Sequence, residues 1–488
     1  MKKIFLVNLD VDLPKDEKPY FSLEPLELSY VKAVLKNKGF NSEVIDEKLQ
    51  KLSIKHIAEK IKFQEDFILG IRFSDFSLKK LEKFLSMLKN AKGHICALGS
   101  FATRAPKLLL EKFSRIDSII IGDPEMTFFY LVRALINNHD WHSIKSLAFR
   151  MRENIKINLL RQCRNNLDLL PFPDRTFISL VKNKYPISIQ GSRGCPWAKC
   201  SFCAEAAFIR KSKCPVWWGR NPANIVKEMK FLNKKYGVNN FSFVDECFFG
   251  KKDFIERGTK LAELIVKEKL NITYSLDARL EHIDDKMLKK MKKSGLKTLY
   301  LGIEGYDKTY LKKLNKGISI QQIDLALQIC SDLNIDVIIG FIPFSYDIDF
   351  KTLKDNLLFL TKLNFFQKGL YTNILVPMQG TVFFNDLVQK GIWKLGLENQ
   401  SLLWKDKRVS DLYSVISWFE KRVFFHCKQK IKKEKSTVMK KLYDDFVLAS
   451  LDFFAKEKNK QQIKKFIDFW ENKIREFTLF SAEFHQLF

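Results

Sequence analysis

Gln190-Gly191-Ser192-Arg193-Gly194-Cys195-Pro196-Trp197-Ala198-Lys199-Cys200-Ser201-Phe202-Cys203 holds three of the chain's nine cysteines, spaced C-x4-C-x2-C. The apolar run that leads into it, Ile187–Gln190, reads as a β-strand. The cysteines therefore sit on a loop at the carboxyl end of a strand, where α/β folds carry their chemistry. Three thiolates on one loop can hold three corners of a cubane iron–sulfur cluster and leave the fourth iron open to a substrate. Gly191 and Gly194 let the backbone pass close to such a cluster and donate N–H groups to its sulfides. Zinc is the competing reading, with Cys214 completing C-x4-C-x2-C-x10-C, but zinc sites usually present two C-x2-C pairs and here there is one. A third reading, three buried cysteines without a ligand, fits poorly with Lys199 and Ser201 interleaved among them.

Working outward, residues 186–384 alternate strands with helices. Strands fit Ile187–Gln190, Asn240–Val244, Ile272–Ser275, Thr298–Gly302, Asp336–Phe341 and Gly369–Leu375. Helices fit Ala223–Lys235, Asp253–Lys267, Asp284–Ser294, Ile320–Leu333 and Phe350–Leu363. Six βα units in succession predict an open, partial barrel. Polar residues stand at the strand ends: Asp245 and Glu246 after the second, Arg279 after the third, Glu304 after the fourth. A structural ion pair is an equally ready reading of Arg279 or Glu304 taken singly.

Residues 1–140 alternate in the same way. Ile4–Leu9, Ser42–Ile45, Phe67–Phe73, His94–Leu98 and Ser118–Ile121 read as strands between helical stretches at Leu26–Lys38, Ile54–Lys62, Leu78–Ala91, Pro106–Lys112 and Glu125–Ile136. The pattern predicts a parallel, doubly wound sheet with ligands at the carboxyl ends of its strands. The loops there are Asp10–Ser22, Arg72–Ser77, Gly99–Arg104 and Gly122–Pro124, and the first, with Pro14 and Pro19, could act as a lid. Residues 141–185 read as a connector, with a hairpin around Arg152-Glu153-Asn154 and an extended, proline-stiffened linker at Leu169-Leu170-Pro171-Phe172-Pro173-Asp174-Arg175. From 385 to 488 the pattern is helical and rich in Phe, Trp and Lys, including the lysine run Lys428–Lys441. The aromatics Trp393, Trp404, Trp418, Phe424, Phe425, Phe453, Phe454, Phe469 and Trp470 read first as a helical core, and beyond that as a cap walling a substrate cavity.

The 488 residues carry 84 Lys+Arg against 56 Asp+Glu, a formal charge of +28. That balance favours anionic partners, but charge is only the first of several marks of a nucleic-acid-binding protein, and nucleic acid is not expected here. An odd number of scattered cysteines argues against a secreted disulfide framework. No run reaches the ~18 apolar residues of a membrane span, and Met1–Asp10 reads as a first strand rather than a signal peptide. The expectation is a cytoplasmic monomer.

The cysteine loop resembles that of the radical SAM superfamily, whose usual spacing is C-x3-C-x2-C. The one-residue insertion here is also met in the branch whose N-terminal domain binds cobalamin. The resemblance extends to Phe243-Val244-Asp245-Glu246, to Ala278-Arg279, to Leu301-Gly302-Ile303-Glu304-Gly305 (the family's "GIES" with glycine for serine), to Leu314-Asn315-Lys316-Gly317 and to Val376-Pro377-Met378-Gln379-Gly380-Thr381. It implies a [4Fe-4S] cluster on Cys195, Cys200 and Cys203. It places S-adenosylmethionine against Phe202 (adenine), Asp245 and Glu246 (methionine end), and Arg279 and Glu304 (carboxylate and ribose side).

The N-terminal block resembles the same branch. Leu23–Tyr30 is similar to its opening motif, Ala97-Leu98-Gly99-Ser100-Phe101-Ala102-Thr103 to its "GGxHAT", Ile121-Gly122-Asp123-Pro124-Glu125-Met126-Thr127 to its "GEGE-x-T", and Leu170–Arg175 to its "LPFPDR" linker. By that resemblance the first domain is Rossmann-like and binds cobalamin through Arg72, Phe73, Ser74, Gly99, Ser100 and Gly122. No D-x-H-x-x-G offers a histidine to the lower face of cobalt. Methylthiotransferases need three further cysteines in the first domain, whereas residues 1–160 contain only Cys96. The implied activity is methyl transfer to an unactivated carbon, on a small-molecule or peptide substrate, with electrons from a flavodoxin or ferredoxin. The alternatives are cyclisation or rearrangement on the same cofactors, or a basic zinc- or nucleic-acid-binding protein without catalysis.

Overall fold

The computed structural model describes residues 2–11, 24–152, 154–161, 166–250, 253–365, 367, 369–393, 404–427 and 433–483. The lid loop expected at 10–22 and the start of the lysine-rich run fall mostly outside these residues. The chain forms two compact units, Met1–Leu301 with Leu325–Val337 and Pro377–Asn399, and Gly302–Asp324 with Ile338–Val376 and Gln400–Phe488.

The first unit opens with a seven-stranded sheet: β1 (Lys3–Asn8), β2 (Ser42–Asp46), β3 (Phe67–Arg72), β4 (Gly93–Leu98), β5 (Ser118–Ile120), β6 (Leu147–Met151) and β7 (Asn154–Ile157), in the order β2-β1-β3-β4-β5-β6-β7. The five expected strands form and are parallel. Their apolar runs are continuous because helices cover both faces. Phe5, Val7, Leu69 and Ile71 pack towards the helices at 54–62, 78–87 and 106–112, and Ile4, Leu6 and Ile68 towards those at 26–37 and 124–136. The hairpin expected in the connector forms, but β6 pairs antiparallel with β5 and extends this sheet. The strand order reverses between β1 and β3, which leaves a crevice at their carboxyl ends. Asn8 and Arg72, the last residues of those strands, are register partners there.

The cysteine-bearing region supplies β8 (Ile187–Ile189), β9 (Ser192–Gly194), β10 (Trp217–Gly219), β11 (Asn240–Phe243), β12 (Thr273–Ala278), β13 (Leu296–Glu304) and β14 (Asp336–Phe341). Five of these form one sheet, β14-β13-β12-β11-β8, while β9 and β10 pair antiparallel beside it. The expected sixth strand, Gly369–Leu375, contributes only a bridge between Phe344 and Ile374 among the described residues. Its polar groups are engaged elsewhere: Thr372 N–H turns back to Gly369 O at 3.1 Å, and Glu420 accepts the Gly369 N–H at 2.6 Å and the Thr372 hydroxyl.

The second unit also holds helices Lys308–Lys313, Phe350–Thr361, Lys407–Cys427, Lys433–Phe453 and Lys460–Glu483. Of the aromatics expected as core, Phe454 and Trp470 are buried, Trp393, Trp404, Trp418 and Phe453 are half-buried, and Phe469 is exposed. Phe419 stacks on Phe446 at 3.7 Å and Trp470 meets both edge-on.

The proline linker is an anchor. Arg175 is buried and donates to Glu24 Oε2 and Glu228 Oε1, both at 2.7 Å, and to the β8 carbonyl of Ser188 at 3.0 Å. Glu228 also accepts from Arg220 at 2.6 Å, so two arginines and two glutamates neutralise one another inside the first unit.

Candidate active site

The cysteine loop is fastened by protein groups of the first unit. Asp245, just beyond β11, accepts from Gly191 N–H at 2.9 Å, from the Ser192 hydroxyl at 3.0 Å and from Ser192 N–H. Arg257 donates from the other side to Gly191 O and Arg220 O, each at 2.7 Å, and to Phe248 O at 3.1 Å. Burial pushes the Asp245 carboxyl up to about 6 against its Ser192 and Gly191 donors and the Arg257 charge, so the anion still prevails at neutral pH. Gly194 has a φ of +81°, and a Cβ there would lie 2.3 Å from the Val216 carbonyl oxygen, so only glycine lets β9 close on β10. Two residues before Cys195, Arg193 reaches into the first domain's Gly122-Asp123-Pro124-Glu125 motif. It pairs with Asp123 at 3.1 Å and Glu125 at 2.5 Å.

Cys195, Cys200 and Cys203 are all free thiols. Cys203 is the N-cap of the helix Ala204–Ser212. Burial, reinforced by Glu246, raises its thiol to about 12. Arg279 is buried over the Trp197 ring at 5.3 Å, within electrostatic reach of Cys195 and Cys200, and its Nε donates to Glu281 at 2.5 Å. Cys214 is disulfide-bonded and so is not a fourth ligand. Among the described residues no three of His, Cys, Asp and Glu converge as ligands of a single ion.

A cleft of about 1200 Å³, part of it open to solvent, runs from the carboxyl ends of β1 and β3 to this loop. The first domain contributes Asn8, Glu27, Arg72 and Ser100, and the barrel contributes Arg193, Glu205, Trp218 and Glu246. Arg72 donates to Glu27 at 2.9 Å and Asn8 at 2.8 Å. Glu246 is exposed on the cleft wall, and desolvation within the concavity raises its carboxyl. Glu205 is pushed up to about 8 by burial, by Glu246 and by Asp123. Asp277 reaches about 8 through burial and the charges of Glu246 and Asp245. Trp218 buries its indole N–H with no acceptor among the described residues.

In the second unit, Glu304 ends β13 with a φ of +67° and accepts from Lys316 Nζ at 2.7 Å. Gly305 stands where the family pattern has serine, because a Cβ there would lie 2.6 Å from the Tyr310 ring.

Residues 189–360 match the radical SAM superfamily. That stretch is a radical SAM domain. The chain is similar to an uncharacterized methyltransferase of Pyrococcus horikoshii, 25% identical over 385 residues that span 78% of this chain and 80% of the relative. It is similar also to the anaerobic magnesium-protoporphyrin IX monomethyl ester cyclase of a Synechocystis species, 29% identical over 225 residues, 45% of this chain and 43% of the cyclase. Among solved structures it shares the fold of the cobalamin-dependent S-adenosylmethionine radical enzyme OxsB, solved with aqua-cobalamin and S-adenosylmethionine bound. The TM-score is 0.78 at 16% identity, over 99% of this chain and 80% of OxsB.

Three free thiols on one loop suit a radical SAM cluster, which places each cysteine on a different iron and has no need of ligands converging on a point. The enclosed part of the cleft is about 350 Å³, within the ~300–1,000 Å³ of ordinary small-molecule sites, and the orphaned Trp218 donor in its wall suits a ligand that carries hydrogen-bond acceptors such as amides.

The individual expectations fare unevenly. Glu246, Arg72 and Ser100 line the cleft. Asp245 borders it, but its carboxylate is engaged by the loop. Gly99 lies beneath the Arg72–Glu27 pair, where a Cβ would sit 3.3 Å from Glu27 Oε2. Phe202 is half-buried in the turn between Cys200 and Cys203. Phe73 is core, edge-on to Phe101 at 5.8 Å, because strand alternation turns it inward. Ser74 caps the short turn Asp75–Ser77. Gly122 faces Ser212 and Cys214 rather than the cleft. The sequence reading did not single out Glu27, Asp123, Glu205, Arg193 or Arg257. Arg193 and Glu205 could have been found by their places beside Cys195 and Cys203; Arg257, mid-helix, carries no such signal.

Proposed function

We propose that this radical SAM enzyme is cobalamin-dependent and transfers a methyl group to an unactivated carbon. The observation that carries the reading is the single cleft joining the β1/β3 switch point to the cysteine loop. Cys195, Cys200 and Cys203 would hold a [4Fe-4S] cluster. Phe202, Glu246, Arg279 and Glu304 would contact S-adenosylmethionine. Arg72, Gly99 and Ser100 would border cobalamin, and no histidine is among the cleft-lining residues. When bound, the cluster with S-adenosylmethionine supplies hydrogen-atom abstraction, and cobalamin supplies a transferable methyl group.

The chain's own groups do the rest. Asp245 and Arg257 hold the loop from opposite sides, and Arg193 ties it to the first domain, so both halves of the cleft keep a fixed spacing. Glu205, raised to about 8, is mostly protonated at neutral pH and suits proton donation within the cleft. We place the enzyme in the cytoplasm, where flavodoxin or ferredoxin would supply electrons. No helix among the described residues is long and apolar enough to cross a membrane.

Ring closure or rearrangement on the same cofactors is the second reading, favoured by the 29% identity to the cyclase. Anaerobic protein should hold about four irons, perturb the spectrum of added hydroxocobalamin, and release deoxyadenosine from S-adenosylmethionine under reduction. A spectrum unchanged at high cobalamin would remove the methyl-transfer reading and leave radical chemistry standing.

A further inference from the structure

Three separate features of the second unit's backbone converge on one ion pair. The first is Glu304 itself. Its φ of +67° lies in a region that residues other than glycine enter only where their surroundings compel it. The compulsion is visible. The Glu304 carbonyl accepts from Ile342 N–H at 2.9 Å, and two residues on Tyr306 N–H donates to the Asn356 side chain at 2.7 Å.

The second feature is the turn that delivers Lys316. Asn315 and Gly317 on either side of it both have positive φ, +51° and +70°. Lys316 N–H closes on Leu311 O at 3.0 Å, which returns the lysine towards the end of β13. The third feature is the absence of a side chain at Gly302. A Cβ there would lie 2.7 Å from Lys316 Nζ and 2.8 Å from Glu304 Oε1, so β13 is bare where the pair rests. Both side chains are nearly buried, at 9% and 11% exposure.

Buried ion pairs give little net stability, since desolvation offsets most of the attraction. A strained glutamate, a double left-handed turn and a vacated strand position are more than stability alone requires. We propose that Lys316 is a positioning residue that orients Glu304 towards S-adenosylmethionine, engaging Oε1 and leaving Oε2 to accept from the nucleoside's hydroxyl or ammonium donors. This rests on the reading of Glu304 as a contact to that molecule.

The test is equilibrium dialysis of labelled S-adenosylmethionine against anaerobic, cluster-loaded protein without reductant, with iron content and thermal midpoint measured alongside. Glu304→Gln should raise Kd about tenfold. Lys316→Met should do the same at unchanged iron content, and should add nothing in the Glu304→Gln background, as groups acting through one another are non-additive. Gly302→Ala keeps both charges but displaces the pair, and should also raise Kd several-fold; it decides the matter if Lys316→Met does not fold. Should Glu304→Gln leave Kd unchanged, the reading of Glu304 fails and takes the proposal with it. Should Glu304→Gln weaken binding while Lys316→Met and Gly302→Ala do not, the positioning role is overturned and Glu304 stands alone.

Discussion

Replacing Arg175 by methionine tests whether the linker is an anchor. Methionine keeps much of the apolar stem but removes three hydrogen bonds, two of them to carboxylates. Glu228 retains Arg220. Glu24, with its side chain only 2% exposed, loses its cation. Hydrogen bonds to charged groups contribute roughly 1.5–3 kcal/mol each, and stranding one member of a buried pair typically costs about 3–5 kcal/mol. At about 2.1 cal/mol/K per residue, a unit the size of the first should melt roughly 4–7 °C lower. The deficit should also depend on pH. Burial already raises the Glu24 carboxyl and Arg175 opposes that rise, so removing Arg175 raises it further. A carboxyl raised in the folded state binds its proton more readily there than in the unfolded chain. The variant should therefore regain stability as pH falls below neutrality and be worst above it. Glu24→Gln added to Arg175→Met should recover a large part of the loss. Thermal unfolding of the four proteins of this cycle at pH 7.5 and 5.5 reads all of it. A loss under about 1 kcal/mol, or one indifferent to both pH and Glu24→Gln, would refute the reasoning.

Changing Cys195, Cys200 or Cys203 to alanine should each abolish iron–sulfur absorption in reconstituted protein, whereas Cys247→Ala should leave it, since that thiol is buried and donates to Phe249 O at 3.2 Å. Gly194→Ala should destabilise by roughly 1–3 kcal/mol from the backbone alone, and the clash with Val216 should lower cluster yield, read as iron per chain. Ser100→Trp should fill the cleft at the switch point and weaken cobalamin binding on the order of tenfold, at unchanged iron content, in a spectral titration; equal affinity would place cobalamin elsewhere.

The fold was largely legible because its strands are buried on both faces and read as unbroken apolar runs. Ile54–Lys62 and Pro106–Lys112 match their helices residue for residue, since Ser53 caps the one and Pro106 starts the other. The Gly369–Leu375 segment misled because its apolar pattern says nothing of Glu420, 45 or more residues away, which takes the Gly369 N–H that a strand would need. The helix Ser100–Arg104 is too short for periodicity to reveal. The site was legible wherever chemistry is written in one loop, as with the cysteines. It was illegible where a role is set by a distant partner. Asp245 reads as a ligand and acts on the loop backbone, while Arg257, unmarked in the sequence, is half-buried against three carbonyls.

The grip on that loop bears on how the protein matures. Gly191, Ser192 and Arg193 are held by Asp245, Arg257, Asp123 and Glu125, all protein groups, so the segment entering Cys195 has its shape without iron. Cluster insertion then meets a path already bent to receive it, and little chain entropy is lost as metal and sulfide arrive. An iron–sulfur donor needs only to find three thiols on a standing rim, and a chain that has lost its cluster to oxygen can be refilled without first refolding.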